Sequence, residues 1–286
     1  MLRNLSVSLV IPTWNEAKGI AYTLRTIPPL VDEVVVVDGC SVDGTADVAR
    51  ANGARVISEV RRGYGRAFKT GFNAAKGDIL VSADGDGTYP IGALPDLLDA
   101  MLNRGILFAS CARFPLDDPS SMRSRNRLGN RAISVAASLL WLRTFEDVLS
   151  GMWAMRREAW VQLDCVSDSW NFSEEIKIRA REAFGSQFCE YHIRYAERLG
   201  ETKLAPFRVG IENLAWLALM RVGVERQVKA VFRPKPKRFS REAPGTFVDA
   251  AATSTRKGPS SRSQASDAPA ASPANHDSDS AREPVQ

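Results

Sequence analysis

The sequence predicts an α/β protein with a mostly parallel central sheet and helices on both faces. Two features of its first half predict this. Apolar runs alternate with amphipathic segments in a β-α-β-α rhythm. Runs such as the four consecutive valines at 34–37 lack the polar alternation of a half-exposed strand, so both faces of the sheet must be covered. A third feature gives the sheet a functional edge. Three strands end in polar clusters, and in a parallel sheet such ends lie together, where ligands bind.

The elements follow in order. Residues 6–12 alternate as a strand, and 18–26 follow as a helix. The valine-rich strand covers 33–38. A helix at 45–52 can end at Gly53, and 55–58 is a short strand. The helix at 64–75 has Gly77 as its stop, and 78–84 is the next strand. A helix at 92–104 and a strand at 106–112 complete the repeat. The 286 residues allow one sizeable domain with a tail. The domain takes 1–233, including a C-terminal amphipathic helix region. The tail, 234–286, is first basic and then rich in Ala, Ser and Pro. From about 240 onward it cannot bury enough apolar surface to offset its ordering entropy, so disorder is expected there.

Composition narrows the function. Cys40, Cys111, Cys165 and Cys189 form no C-x-x-C pair, which argues against a zinc site or disulfide framework and for reduced cytoplasmic thiols. The N-terminal apolar run is broken by Asn4, Ser6 and Ser8 and stops at Pro12, so no signal peptide is expected. No run approaches the roughly 20 apolar residues of a membrane span. The net charge of +5 favours anionic partners. Its excess clusters near the C-terminus without a base-reading motif, which argues against nucleic acid.

The strand ends carry the chemistry. Asp84 and Asp86 leave a strand at i and i+2, where two carboxylates can converge on one hard cation. Mg²⁺ or Mn²⁺ commonly sits between one or two carboxylates and substrate phosphates. Asp38 can accept from a nucleobase N–H, and Glu16 from ribose hydroxyls. Asp43 can equally start the helix after it. Arg62 belongs to a basic, Gly-rich stretch opening a helix, suited to phosphate or simply to solvent.

Together these residues resemble the family-2 inverting glycosyltransferases of the GT-A fold, and within them the dolichyl- and polyprenyl-phosphate hexose synthases. Six blocks carry the resemblance: S-L-V-I-P-T-W-N-E (8–16), V-V-V-V-D-G-C-S-V-D-G-T (34–45), R-G-Y-G-R-A-F (62–68), G-D-I-L-V-S-A-D-G-D-G-T-Y-P (77–90), S-G-M-W-A-M-R-R-E-A (150–159) and Y-A-E-R-L-G-E-T-K-L (195–204). The resemblance implies that Pro12, Glu16, Asp38, Asp43 and Arg62 contact the nucleotide. Asp84 and Asp86 would be the metal-diphosphate pair, with Thr88 a third ligand. Arg113 would lie near a donor or acceptor phosphate. Ser150 and Gly151 would lie around the sugar and acceptor, Arg198 and Lys203 on a loop closing over phosphates, and Glu175 beside the acceptor. Two departures stand out: T-Y-P replaces T-Y-D-P, and Trp153 stands where the family has Arg. Trp153 bears on sugar or acceptor recognition.

The resemblance implies hexose transfer from a nucleotide diphosphate sugar such as UDP-glucose or GDP-mannose to a polyprenyl phosphate. That acceptor is already ionised and needs cations rather than a base. A hydroxyl acceptor would need a base, for which Glu175 is the candidate. A nucleotide-sugar-binding protein without turnover is a third reading. The 207–241 segment reads either as a basic amphipathic helix suited to an anionic membrane surface or as a terminal helix packing on its own domain and fraying into a charged tail, and Arg123, Arg125, Arg127 and Arg131, which flank a helix running to Leu142, suit lipid phosphates or simply solvent. The expected location is cytoplasmic, with a peripheral position on the cytoplasmic membrane face under the membrane reading of that helix.

Overall fold

The computed structural model describes residues 2–199 and 206–228. They belong to the first of two compact units of the chain, Met1–Arg238. Lys203, the cations at 229–241 and the tail expected from 234 lie outside the described residues.

The elements run β1 (Val7–Thr13), α1 (Ala17–Arg25), β2 (Glu33–Asp38), α2 (Thr45–Ala51), β3 (Arg55–Ser58), α3 (Tyr64–Ala74), β4 (Ile79–Ser82), α4 (Leu94–Asn103), β5 (Phe108–Ala112), α5 (Ser124–Trp141), β6 (Trp153–Arg156), α6 (Arg157–Gln162), α7 (Phe172–Phe184), β7 (Phe188–His192), α8 (Pro206–Arg221) and α9 (Glu225–Val228). The seven strands lie in the order β3-β2-β1-β4-β6-β5-β7. All neighbours pair parallel except β6, which runs antiparallel to both β4 and β5.

The apolar strands feed two layers because successive side chains point to opposite faces. Leu9, Ile11 and Val36 pack on one side with Ile20, Leu94, Leu97 and Leu98. Val10, Val35 and Val37 pack on the other with Phe68, Phe72, Phe172 and Ile176. The valine run is therefore a strand buried from above and below, as its composition predicts. A smaller cluster ties α5, α7 and α8 through Ile133, Ala137, Ile178 and Leu217.

One expectation changes, that of the C-terminal helix. In the sheet, β6 lies between β4 and β5. The register Ser82↔Trp153 brings the start of β6 to the carboxyl end of β4, which delivers Ser150 and Gly151 to the functional edge. The basic amphipathic helix expected across 207–241 ends as α8 at Arg221. Gly223 then adopts φ 72°, a left-handed conformation that stops a helix.

Candidate active site

Parallel pairing sets Thr13 beside Asp38 and Val10 beside Ser82, so the chain leaves β1, β2 and β4 at one edge. A cleft of about 1060 Å³ opens there. Pro12, Glu16, Arg62, Asp84, Asp86, Arg113 and Arg198 all line it, although they come from five separate parts of the chain. Helix α1 presses against the Asp84–Asp86 turn. A Cβ at Gly19 would come within 2.5 Å of the Gly85 carbonyl, so glycine is what permits the approach.

The two aspartates differ in their supports. Asp84 Oδ1 accepts from the Tyr64 hydroxyl at 3.0 Å. A Cβ at Gly151 would stand 2.4 Å from that hydroxyl and 2.9 Å from Asp84 Oδ2. Gly151 thus serves by having no side chain, and its N–H donates to the Tyr89 hydroxyl. Ser150 is buried, and neither it nor Gly151 lines the cleft. Asp86 Oδ1 accepts from both the backbone N–H (3.1 Å) and hydroxyl (2.6 Å) of Thr88. The Asp86 Oδ2 atom faces Arg198 Nη1 at 3.0 Å. Burial, and then the negative charge of Asp86, push the Asp84 carboxyl up to about 7. A half-buried and a buried carboxylate opposing one another in this way suit a shared divalent cation.

Among the described residues no group of three or more His, Cys, Asp or Glu could by itself hold a metal. Two carboxylates open to a cleft nevertheless match a hard cation completed by substrate phosphates. Asp84 and Asp86 fit that role. Thr88, the expected third ligand, donates its hydroxyl to Asp86 and so aims this carboxylate, and it does not itself line the cleft.

Several sequence-predicted residues do other work. The Asp38 carboxylate accepts from the Ser41 N–H at 3.0 Å and the Ser41 hydroxyl at 2.5 Å, and it is 3% exposed. It shapes the turn that places Gly39 on the cleft wall. Asp43 accepts from Ala17 N–H at 3.0 Å and from Thr45 N–H at 3.1 Å, closing the N-terminal turns of α1 and α2 together. Neither aspartate lines the cleft.

Glu175 is a clearer correction. It is fully buried, lies off the cleft, and its carboxylate accepts from the backbone N–H groups of Val166 (2.8 Å) and Ser167 (2.7 Å). It also pairs with Arg179 at 2.9 Å. A carboxylate so occupied secures the loop before α7 and cannot reach an acceptor proton. Trp153 is likewise core, packed among Phe68 and Phe172 with Lys177 over its ring. The family's Arg position has become a buried face here.

Residues missed in the sequence support the visible ones. Asp147 holds Arg113 in a bidentate pair at 2.6 and 2.8 Å and also accepts its backbone N–H. Burial pulls the Asp147 carboxyl upward, but Arg113 outweighs it and keeps it below the usual range. Lys177 donates to the Ser150 and Asp147 carbonyls at 2.5 and 3.0 Å, and burial depresses it to about 7 against the opposing pull of Asp147. Asp147 sits in a loop with no motif. Lys177 sits on a buried helix face that its charge disguises. Trp170 stacks on Tyr64 at 4.8 Å, giving the cleft an aromatic wall, and Arg62 lies 4.7 Å above the Trp14 ring. The glycine-flanked tyrosine of R-G-Y-G-R was the one available signal for Tyr64.

Residues 8–163 match the model of a family described as Glycosyl transferase family 2. The chain belongs to that family. A dolichyl-phosphate hexose transferase of Haloferax volcanii is 38% identical over 207 residues, covering 71% of this chain and 89% of the relative. An undecaprenyl-phosphate mannosyltransferase of Micrococcus luteus is 29% identical over 221 residues, covering 72% and 90%. Among solved structures, glucosyl-3-phosphoglycerate synthase of Mycobacterium tuberculosis, in complex with Mn²⁺, UDP and phosphoglyceric acid, superposes with a TM-score of 0.62. It is 25% identical and covers 77% of this chain and 80% of that one. This family-2 glycosyltransferase therefore has the GT-A architecture, with its cleft at the carboxyl edge of the sheet as in other open α/β folds. No helix among the described residues is long and apolar enough to cross a membrane.

Proposed function

We propose that this enzyme moves a hexose, with inversion and with a divalent metal, from a nucleotide diphosphate sugar to a polyprenyl phosphate at an anionic membrane surface. The observation that carries the acceptor is the outer arm of the cleft. Helices α5 and α8 form it, and both expose apolar stripes. On α5, Leu128 (72% exposed), Val135 and Leu139 recur at i, i+7 and i+11; on α8, Phe207 (84% exposed), Ile211 and Leu214 recur at i, i+4 and i+7. Arg123, Arg125 and Arg208 line the cleft beside them. Exposed apolar ridges bordered by arginines suit a helix pair resting in the headgroup layer, where each buried methylene contributes about 0.8 kcal/mol and each nearby cation about 1 kcal/mol. A lipid acceptor would meet the cleft there.

In this reading Pro12, Glu16 and Arg62 border the nucleotide, and Asp84 and Asp86 hold Mg²⁺ or Mn²⁺ on the diphosphate. The ion, when bound, neutralises charge developing on the leaving diphosphate. Arg113, fixed by Asp147, offers a rigid cation to a phosphate at the reacting centre, and Arg198 can add a second. The acceptor phosphate attacks the anomeric carbon as its own anion, so no protein group need remove a proton. The displacement of Glu175 from the cleft fits this acceptor. One observation favours a hydroxyl acceptor instead: Glu197 is exposed on the cleft wall and is placed to act as a base.

The test offers radiolabelled UDP- and GDP-hexoses with Mn²⁺ and a polyprenyl phosphate in anionic vesicles. An acid-labile product in the organic phase is expected, and a Leu128→Asp/Leu139→Asp variant should lose most of that transfer while still using a short water-soluble prenyl phosphate. Label appearing only in water-soluble glycosides would reject the lipid acceptor.

A further inference from the structure

We propose that Arg198 occupies the metal's place on Asp86, so that the divalent ion and the nucleotide diphosphate enter as a coupled pair. The guanidinium bridges Glu16 Oε1 at 2.5 Å and Asp86 Oδ2 at 3.0 Å. Because Thr88 takes Asp86 Oδ1, the oxygen that Arg198 covers is the one presented to a cation. The arginine is carried there by its backbone. The Ala196 N–H donates to the Thr88 carbonyl and the Leu199 N–H to the Asp86 carbonyl, both at 2.9 Å, which lays residues 196–199 along the D-G-D-G-T turn.

The pose is also incomplete. Arg198 Nε is buried and has no hydrogen-bond acceptor among the described residues. A guanidinium in this state satisfies the carboxylates while leaving one of its own donors unpaired. A metal ion arriving alone must displace Arg198 from Asp86 and leave the guanidinium with Glu16 as its one remaining ion-pair partner among the described residues. A metal arriving with a diphosphate brings the phosphate oxygens that a displaced guanidinium binds best. The two ligands then favour one another, and by linkage the factor is the same in both directions. This inference rests on the reading of Asp84 and Asp86 as the metal pair.

The experiment measures free Mn²⁺ by electron paramagnetic resonance in titrations of wild type, Arg198→Gln and Glu16→Gln, each with and without UDP or GDP. For wild type, the nucleotide should tighten Mn²⁺ binding by about tenfold or more. Arg198→Gln should bind Mn²⁺ alone about tenfold more tightly than wild type, and the part of the coupling that comes from displacing the arginine should be lost. Glu16→Gln, which removes the charge that anchors the arginine, should shift Mn²⁺ binding without nucleotide in the same direction and so separates displacement from misfolding. If both variants bind Mn²⁺ alone no more tightly than wild type while nucleotide-dependent binding persists, the proposal is overturned and the metal pair stands. If no protein binds Mn²⁺ even with nucleotide, both fall.

Discussion

Asp86→Asn is expected to lower turnover by on the order of a thousandfold while leaving the protein folded. The asparagine can still accept from Thr88, so the turn after β4 keeps its shape. What disappears is the anionic oxygen facing the cleft, the atom that now meets Arg198 at 3.0 Å. The loss is electrostatic and falls on the transition state, where charge gathers on the departing diphosphate. The substitution also removes a like charge beside Asp84, whose carboxyl burial and Asp86 together raise to about 7. Tm should therefore be unchanged or higher. Initial rates with labelled donor, alongside thermal melts by circular dichroism, check both halves. A variant equally slow but partly unfolded would point to a structural role instead.

The second large effect is on stability. Asp147→Ala should destabilise the protein by about 3–5 kcal/mol, because it leaves the Arg113 guanidinium buried without its partner. Arg113 is 6% exposed and Asp147 is fully buried, so solvent cannot compensate for the lost pair. Asp147 also receives the Arg113 and Leu149 backbone N–H groups, which would lose their acceptor. The double variant Asp147→Ala/Arg113→Met removes the stranded charge and should recover much of the stability. It should recover no activity, because the cation proposed for the reacting centre is gone. Urea denaturation of the three proteins, with transfer rates for the double variant, separates the structural part of this pair from the chemical part.

How much of this was legible in the sequence depended on whether the signal was local. The valines of β2 announce a buried strand by composition alone, and D-G-D-G-T announces a tight acidic turn through its glycines. The cleft residues Pro12, Glu16, Arg62, Asp84 and Asp86 follow from strand ends because parallel pairing gathers them. Strand β6 was not legible, since its place between β4 and β5 is a long-range choice that four residues do not encode. Glu175 illustrates the opposite failure. An acid in the first turn of a helix looks the same in sequence whether it faces a cleft or two backbone N–H groups, and only packing decides. Asp147 and Lys177 carry no motif, and their importance comes from whom they meet. The apolar ridge of α5 is interspersed with arginines, so in sequence Leu128, Val135 and Leu139 read as part of a charged helix.

The most direct measurement is anomalous diffraction at the manganese edge from crystals grown with Mn²⁺ and a nucleoside diphosphate. A single strong peak bonded to Asp86, close to Asp84 and sharing oxygens with the diphosphate, is the expected result. Manganese bound elsewhere, or a diphosphate seated in the cleft with both carboxylates turned away from it, would contradict the account.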